Sequence, residues 1–207
     1  MTDQIFTVLY LVGYVAGGVL RRPHFRKLSR QGVGVVPDAW AAKYMTPVEK
    51  VLGALYLFIG SLLIPVVYLF APWLDFADYH WPTWTGAVGV ALIAIGLWLQ
   101  WRARVDLGQN LRPTAIPTKE TTAAQSLVSV GAYRYIRHPI YAGFWLLAIA
   151  QALLLHNWIA GWAGLILILP MYMYRVRREE QNLLERFGDP YRRYMDRTGR
   201  VIPVLWR

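Results

Sequence analysis

Cysteine is absent from this 207-residue chain, which excludes a disulfide framework, a cysteine-ligated zinc site and a thiolate nucleophile. Acidic residues are scarce, with 12 Asp and Glu against 22 Lys and Arg. Charged residues are also missing from the middle of every long apolar run. Ion pathways and proton relays through a membrane use charged side chains at that depth, so we predict neither for this chain. No metal site is predicted.

Apolar and aromatic residues dominate the composition. The chain is 56% hydrophobic, has 10 Trp and 13 Tyr, and has a positive mean hydropathy, which is typical of a protein that crosses a membrane several times. Its Lys and Arg residues lie in blocks between apolar runs, so the net charge of +10 predicts orientation in a bilayer and not nucleic-acid binding. Asp3, rather than a basic segment, precedes the first apolar run, so no cleavable signal peptide is predicted.

Five apolar segments predict an all-α, polytopic membrane protein with five transmembrane helices. The segments are residues 5–20, 51–70, 85–101, 140–155 and 158–174. Residues 139–174 contain no Asp, Glu, Lys or Arg and are too long for one ordinary span. We therefore predict a helical hairpin there, with its turn at His156 and Asn157. Pro65 predicts a kink in the second helix.

The distribution of basic residues predicts the orientation of these helices. Every Lys and Arg falls in the first loop, the third loop, the C-terminal tail or at their membrane edges. Because cytoplasmic loops carry an excess of Lys and Arg, we predict an outside N-terminus and a cytoplasmic C-terminus. Small residues from Gly13 to Gly17 form a face that packs either within the chain or between two copies, so the oligomeric state stays open.

A polar and aromatic cluster at residues 131–141 directly precedes the long uncharged stretch. Pro139 biases His138 away from the α-region and suits the first position of a helix. Arg137 and His138 are therefore predicted to lie in a bent segment at the water–lipid boundary, where they can face a ligand. The alternative is that Arg137 only anchors the helix at the interface and His138 is a spacer.

The tail is predicted to form a helix over residues 175–187, because Gly188 is well placed to end it. A second, short helix is predicted from residue 189 onward. Arg175 and Glu179 are four residues apart, so they share one helix face just below the fifth span. The alternative is an ordinary solvated ion pair, which stabilises a helix by only about 0.2–0.5 kcal/mol.

The order of these motifs resembles the isoprenylcysteine carboxyl methyltransferase family and the related phospholipid methyltransferases. The resemblance rests on residues 125–133, Arg-His-Pro-Ile-Tyr at 137–141, the hairpin, Arg-x-x-x-Glu-Glu at 175–180 and Phe-Gly-Asp-Pro-Tyr at 187–191. It covers about residues 107–203, whereas the first hundred residues agree only in being membrane-spanning. It implies a single integral membrane methyltransferase domain over residues 1–207, with its catalytic half at about 107–203. It also implies a cytoplasmic-side pocket for S-adenosylmethionine without a Rossmann domain.

The resemblance also implies which residues form the site. Arg175 faces the methyl acceptor, and Glu179 is both a catalytic candidate and a cofactor contact. The other implied cofactor contacts are Gln125, Ser126, Leu127, Val128, Tyr133, His138, Pro139, Ile140 and Tyr141. Family members often have His at the position of Gln125, so a direct role for that side chain is left open.

These residue types suit the implied reaction. The sulfonium, amino group and adenine of S-adenosylmethionine call for aromatic faces and carboxylate acceptors, which Tyr133, Tyr141 and Glu179 offer. An acceptor α-carboxyl, with a pKa of about 3.3–3.7, is ionised at neutral pH and needs no general base. It does need alignment, which a guanidinium such as that of Arg175 provides. We therefore expect carboxyl O-methylation of an isoprenylcysteine-like, lipophilic or prenylated acceptor at the bilayer.

Two alternatives remain. A phospholipid head-group N-methyltransferase acts on an amine that must lose a proton, so it requires a base, for which Glu180 and His138 are candidates. A non-enzymatic lipid-binding membrane protein or small transporter requires no S-adenosylmethionine, and likeness of fold alone does not exclude it. Rates of methylation of a prenyl-cysteine carboxylate and of phosphatidylethanolamine distinguish the two kinds of enzyme. A titration with S-adenosylmethionine distinguishes both enzymes from the non-enzymatic protein.

Overall fold

The structure is a computed structural model that describes residues 2–30, 45–107 and 127–204, with side chains throughout these ranges except at 2–4 and 21–30. Every regular element in these ranges is a helix, which confirms the predicted all-α class. The elements are α1 (Thr2–Arg30), α2 (Pro47–Phe70), a 3₁₀ turn (Pro72–Ala77), α3 (Trp84–Leu107), a 3₁₀ turn (Gly131–Arg134), α4 (Pro139–Leu154), α5 (Ala163–Phe187) and α6 (Asp189–Arg197).

Local sequence explains where several helices begin and end. At the start of α2, the Thr46 hydroxyl accepts from the backbone N–H of Glu49, and the Glu49 carboxylate accepts from the backbone N–H of Thr46. This capping box satisfies two of the free N–H groups of the first turn. Pro139 lies at the start of α4, and Gly188, with φ +56°, ends α5 in a conformation that favours glycine.

The middle of α2 is a π-helix over Leu55–Leu63, which ends two residues before Pro65. Pro65 has no N–H to donate, so the carbonyl of Gly60, five residues earlier, lacks its π-helical partner. Nε2 of Gln151 donates to that carbonyl at 2.8 Å, and the Tyr10 hydroxyl donates to the neighbouring Ser61 carbonyl at 3.0 Å. The disturbance predicted at Pro65 therefore takes the form of a widened turn whose carbonyls bond to side chains of α1 and α4.

Small residues allow close packing of the helices. A Cβ at Gly143 on α4 would lie 2.8 Å from the carbonyl oxygen of Gly96 on α3, so these two backbones meet directly. A Cβ at Gly13 on α1 would lie 2.7 Å from the side chain of Ile93 on α3. The small-residue face of the first helix therefore packs within the chain at Gly13.

The predicted hairpin is present, with α4 and α5 joined by a turn at residues 155–162. Asn157 holds this turn, since its Nδ2 donates to Leu74 O at 2.6 Å and to Asp78 Oδ1 at 2.8 Å. Its Oδ1 accepts from the backbone N–H groups of Ile159 at 3.0 Å and Ala160 at 2.8 Å. Helix α5 therefore begins at Ala163 and not at residue 158 as predicted, because the first residues after Asn157 are used in the turn.

Within the described ranges, two helices are long and apolar enough to cross a membrane by length and composition, namely Pro47–Phe70 and Trp84–Leu107. The apolar parts Ile5–Leu20 and Pro139–Leu154 are shorter. Helix α5 combines an apolar N-terminal half with a charged C-terminal half, because the fifth predicted span and the tail helix form one continuous helix. Large apolar side chains such as Phe58, Trp98 and Ile166 point outward, as expected of helices that contact lipid.

Candidate active site

The predicted site residues meet where α4 begins and where the charged half of α5 passes it. The hydroxyl of Tyr141 donates to Glu179 Oε1 at 2.7 Å. The other oxygen of Glu179, Oε2, lies 3.6 Å from Nδ1 of the buried His138, which is longer than a hydrogen bond. The side chain of Glu179 is 18% exposed. Glu179 is therefore a held but accessible carboxylate beside the rings of Tyr141 and His138.

Glu180 is oriented differently and is enclosed by cationic groups. Nε of Arg137 donates to its Oε1 at 3.1 Å, and Arg200 donates to its Oε2 from Nε at 3.0 Å and from Nη2 at 2.7 Å. Nε2 of His138 lies 3.4 Å from Oε1. Burial alone would raise the pKa of Glu180, but His138, Arg200 and Arg137 together lower it to about 2. Glu180 is therefore ionised at neutral pH and has little capacity to accept a proton.

Arg137 is a half-buried group with several hydrogen bonds inside the protein, so the interpretation as a snorkelling anchor does not fit. Its side chain is 9% exposed, and its guanidinium donates to the carbonyl of Met195 at 3.0 Å and to the carbonyl of Thr198. Its backbone N–H donates to Gly199 O at 2.8 Å, and that of His138 donates to Arg200 O at 2.8 Å. The bent segment before Pro139 is thus held by residues 198–200, which no predicted motif included.

Arg175 lies on the same face of α5 as Glu179, as its spacing predicted. Its Nη2 is 3.7 Å from Glu179 Oε1, and its side chain is 27% exposed. Its Nε is buried and has no hydrogen-bond partner among the described residues. Because a guanidinium presents N–H groups in a planar fork, Arg175 has an edge available for an anion.

Tyr133 lies in the 3₁₀ turn Gly131–Arg134, which two neighbours hold in place. Asp106 at the end of α3 accepts from the backbone N–H of Ala132 at 2.8 Å, and the Tyr194 hydroxyl on α6 donates to Tyr133 O at 2.6 Å. Burial, followed by the charge of Glu179, raises the pKa of the buried Tyr133 phenol. Tyr133 therefore lies within electrostatic range of the accessible carboxylate of Glu179.

The remaining predicted contacts have different placements. Pro139 is buried at the start of α4, and Ile140 beside it is half-buried. Leu127 and Val128 are half-buried in the irregular segment before the 3₁₀ turn. Gln125 and Ser126 lie outside the described residues. The structure thus groups His138, Tyr141, Arg175 and Glu179, with Pro139 and Ile140 next to His138 in the chain.

A carboxylate of α2, that of Glu49, lies against the charged half of α5. Glu49 is buried and forms an ion pair with Arg178, the residue immediately before Glu179. Thr46 also contacts the hydroxyl of Tyr174 at 3.5 Å. Sequence reasoning missed Glu49, because the Thr-Pro-Val-Glu pattern predicts only the start of a helix and not its partner on α5. The pair ties the first half of the chain to the site.

Comparisons with known proteins agree with this geometry. Residues 84–190 match the family model for phospholipid methyltransferase. The matched region includes His138, Tyr141, Arg175 and Glu179. Glu49 lies outside it, and so does Arg200.

Curated relatives in several eukaryotes are similar to this chain. It is 30% identical over 121 residues to a protein-S-isoprenylcysteine O-methyltransferase of Schizosaccharomyces pombe, which covers 58% of this chain and 50% of that protein. It is 28% identical over 140 residues to the human protein of the same name, covering 64% of this chain and 49% of that protein. The chain thus spans about half the length of these two relatives. It is also 25% identical to the B form of Arabidopsis thaliana, covering 87% of this chain and 95% of that protein.

A solved structure shows the same fold. The eukaryotic intramembrane Ras methyltransferase, isoprenylcysteine carboxyl methyltransferase, aligns with a TM-score of 0.56 over 97% of this chain and 68% of that chain. The two are 22% identical in sequence. This likeness extends the shared architecture to helices α1 and α2, which lie before the matched family region.

Proposed function

Because this chain belongs to the phospholipid methyltransferase family, we propose that it is an integral membrane enzyme that methylates a carboxylate of an isoprenylcysteine-like acceptor, with S-adenosylmethionine as methyl donor. One observation carries the proposal. On one face of α5, the accessible carboxylate of Glu179 is held by Tyr141, and the buried Nε of Arg175 has no hydrogen-bond partner in the part of the chain that the structure describes. The first group suits a cationic donor, and the second suits an anionic acceptor.

The residues present fit S-adenosylmethionine. Oε2 of Glu179 lies 3.6 Å from Nδ1 of His138, too far for a hydrogen bond. This oxygen is therefore available to accept from an amino or hydroxyl group. The rings of His138 and Tyr141 are 5.8 Å apart with an interplanar angle of 63°, so they form an aromatic corner beside that oxygen. Aromatic faces attract cations such as a sulfonium. When bound, S-adenosylmethionine supplies an activated methyl group.

We assign the holding of the donor to Glu179, Tyr133 and the segment 138–141. The predicted contacts at 125–128 complete this proposed set. Tyr141 keeps Glu179 in position through its 2.7 Å hydrogen bond, so the carboxylate does not have to be ordered when the donor binds.

Arg175 binds and orients the acceptor in this proposal. An acceptor α-carboxyl with a pKa of about 3.3–3.7 is already a carboxylate at neutral pH, so no proton has to be removed. The planar guanidinium holds both carboxylate oxygens and removes water from them, which fixes the line of approach. Exclusion of water strengthens this contact, because charge-assisted bonds are stronger at low dielectric.

The state of Glu180 removes one of the two candidate bases for amine methylation. An amine acceptor requires a base, and Glu180 was one of two candidates. Two guanidiniums donate hydrogen bonds to the Glu180 carboxylate, whose pKa is about 2. Glu180 is therefore a poor proton acceptor near neutral pH. A carboxylate acceptor does not require that role.

The proposed membrane arrangement has five spans, an outside N-terminus, a cytoplasmic C-terminus and a cytoplasmic-side site within a single domain of residues 1–207. Two long apolar helices, two shorter ones and the apolar half of α5 support five crossings. The basic residues near the site support its cytoplasmic placement. A lipid-like acceptor reaches Arg175 sideways from the bilayer, since Arg175 follows directly on the apolar half of α5.

Two measurements test the proposal. Calorimetric titration of the detergent-solubilised protein with S-adenosylmethionine is expected to show saturable binding at one site. Methyl transfer is then compared on a farnesylated cysteine with a free carboxyl and on phosphatidylethanolamine. We expect turnover only on the first. Absence of S-adenosylmethionine binding would reject the proposal that the protein is a methyltransferase. Faster turnover on phosphatidylethanolamine would show that the reaction is amine methylation and not carboxyl methylation.

A further inference from the structure

We propose that Arg200 is a positioning residue of the methyl-donor site, which it keeps in shape by fixing Glu180 beside His138. Arg200 lies beyond the motifs and beyond the matched family region at 84–190. The inference rests on the proposed function, because it concerns the affinity of the chain for S-adenosylmethionine.

The guanidinium of Arg200 donates to both carboxylate oxygens of Glu180. Oε2 of Glu180 accepts from Nε at 3.0 Å and from Nη2 at 2.7 Å, and Oε1 accepts from Nε at 3.2 Å. Arg137 supplies a further donor to Oε1 at 3.1 Å. Nε2 of His138 lies 3.4 Å from the same Oε1, so the two guanidiniums fix the carboxylate directly beside the imidazole.

The backbone of Arg200 holds His138 directly. Its carbonyl oxygen accepts from the backbone N–H of His138 at 2.8 Å, and the preceding Gly199 accepts from Arg137 at 2.8 Å. Residues Ile136 and Gly199 form a parallel bridge next to these bonds. Arg200 thus contacts the bent segment through its main chain and contacts the carboxylate facing that segment through its guanidinium.

His138 lies between two carboxylates at similar distances. Nδ1 is 3.6 Å from Glu179 Oε2, and Nε2 is 3.4 Å from Glu180 Oε1. Removal of the Arg200 guanidinium takes away the donors that Oε2 of the buried Glu180 has among the described residues, so the carboxylate shifts toward the donors that remain. Because His138 lies 3.4 Å from Glu180, movement of this carboxylate shifts the imidazole, which disturbs the aromatic corner beside Glu179.

Exposure shows where Arg200 acts. Its side chain is 45% exposed, whereas that of Glu180 is 5% exposed. The guanidinium therefore covers the buried carboxylate on its solvent side, and its loss admits water to the cluster. Because it touches Glu180 and not the proposed donor contacts, Arg200 is a positioning residue and not a catalytic one.

The test is calorimetric titration of detergent-solubilised Arg200→Ala and Arg200→Lys with S-adenosylmethionine. We expect the Kd to rise about 10-fold for alanine, because a charge-assisted bond to a buried group is lost. Lysine restores the charge but not the fork, so we expect a rise of about threefold. The stoichiometry and the KM for the farnesylated acceptor stay unchanged. Arg192→Ala is the matched control, since Arg192 is exposed on α6 and lies 3.9 Å from the exposed Asp189.

The outcomes separate the inference from the proposed function. An unchanged Kd in Arg200→Ala overturns the inference alone, and so does a lower stoichiometry at unchanged Kd, which indicates only a loss of folded protein. If the alanine variant does not fold, the lysine variant decides, because wild-type affinity there overturns the inference. Absence of binding in the wild type rejects the proposed function and the inference together.

Discussion

Replacement of Arg175 by alanine is expected to lower kcat/KM for a farnesylated cysteine acceptor by about 10- to 100-fold while the affinity for S-adenosylmethionine stays within about threefold. Arg175 is assigned to the acceptor and has no proposed contact with the donor. Its removal therefore separates the two halves of the site.

The structure sets the size of both effects. The Nε of Arg175 is buried and has no partner among the described residues, so a bound carboxylate would gain a charge-assisted bond of about 1.5–3 kcal/mol that alanine cannot make. The existing pair with Glu179 is 3.7 Å long, and both side chains are partly exposed. Such a pair contributes less than about 1 kcal/mol, so its loss changes the donor contact of Glu179 only slightly.

The assay is steady-state methyl transfer from labelled S-adenosylmethionine, with the Kd for the donor measured separately by calorimetry. Arg175→Lys should recover part of the lost rate, because an ammonium keeps the charge but loses the planar fork. Arg177→Ala, two residues along the same helix on an exposed face, is the matched control. Full activity of the lysine variant would return Arg175 to the role of an interfacial anchor. An equal loss of donor affinity and turnover in the alanine variant would also refute the assignment.

Three further predictions concern the donor contact, the buried carboxylate and the topology. Glu179→Ala should weaken S-adenosylmethionine binding by about 1.5–3 kcal/mol in calorimetry, because a charge-assisted bond is lost. The folded pKa of Glu180 is about 2, below its ordinary value of 4.5, so its contribution of about 3 kcal/mol is fully present above pH 5. Thermal unfolding of the detergent-solubilised protein should therefore show stability falling as the pH drops from 5 toward 2, with a smaller fall in Glu180→Gln. In this chain without native cysteine, Phe76→Cys should react with impermeant reagents only from outside, and Arg192→Cys only from the cytoplasm.

Each of these has a defined contrary result. Wild-type donor affinity in a folded Glu179→Ala protein would remove Glu179 from the site. An identical pH profile in Glu180→Gln would show that other carboxylates cause the acid transition. Labelling of Phe76→Cys from the cytoplasm would invert the proposed topology.

Local sequence patterns were sufficient for the helical class, the hairpin and the grouping of Arg175 with Glu179. Apolar run length and proline or glycine positions act over a few residues, and the i, i+4 spacing holds for any helix. Motif order supplied the family, which the match over residues 84–190 confirmed. The start of α5 was predicted too early, because the hydrogen bonds of Asn157 in the turn involve Leu74 and Asp78, more than 70 residues away in the chain.

The different roles of Glu179 and Glu180 were decided only by tertiary structure. Adjacent residues on a helix point about 100° apart, so their sequence shows that they diverge but not which one meets a ligand. Arg137 and Arg200, which are 63 residues apart, both converge on Glu180 and leave Glu179 to Tyr141 and the accessible side. The ion pair between Glu49 and Arg178 was also decided by tertiary structure, because no local sequence pattern predicts an ion pair between distant helices. Helix formation depends on near neighbours, whereas the charge and accessibility of each carboxylate depend on which distant side chains pack against it.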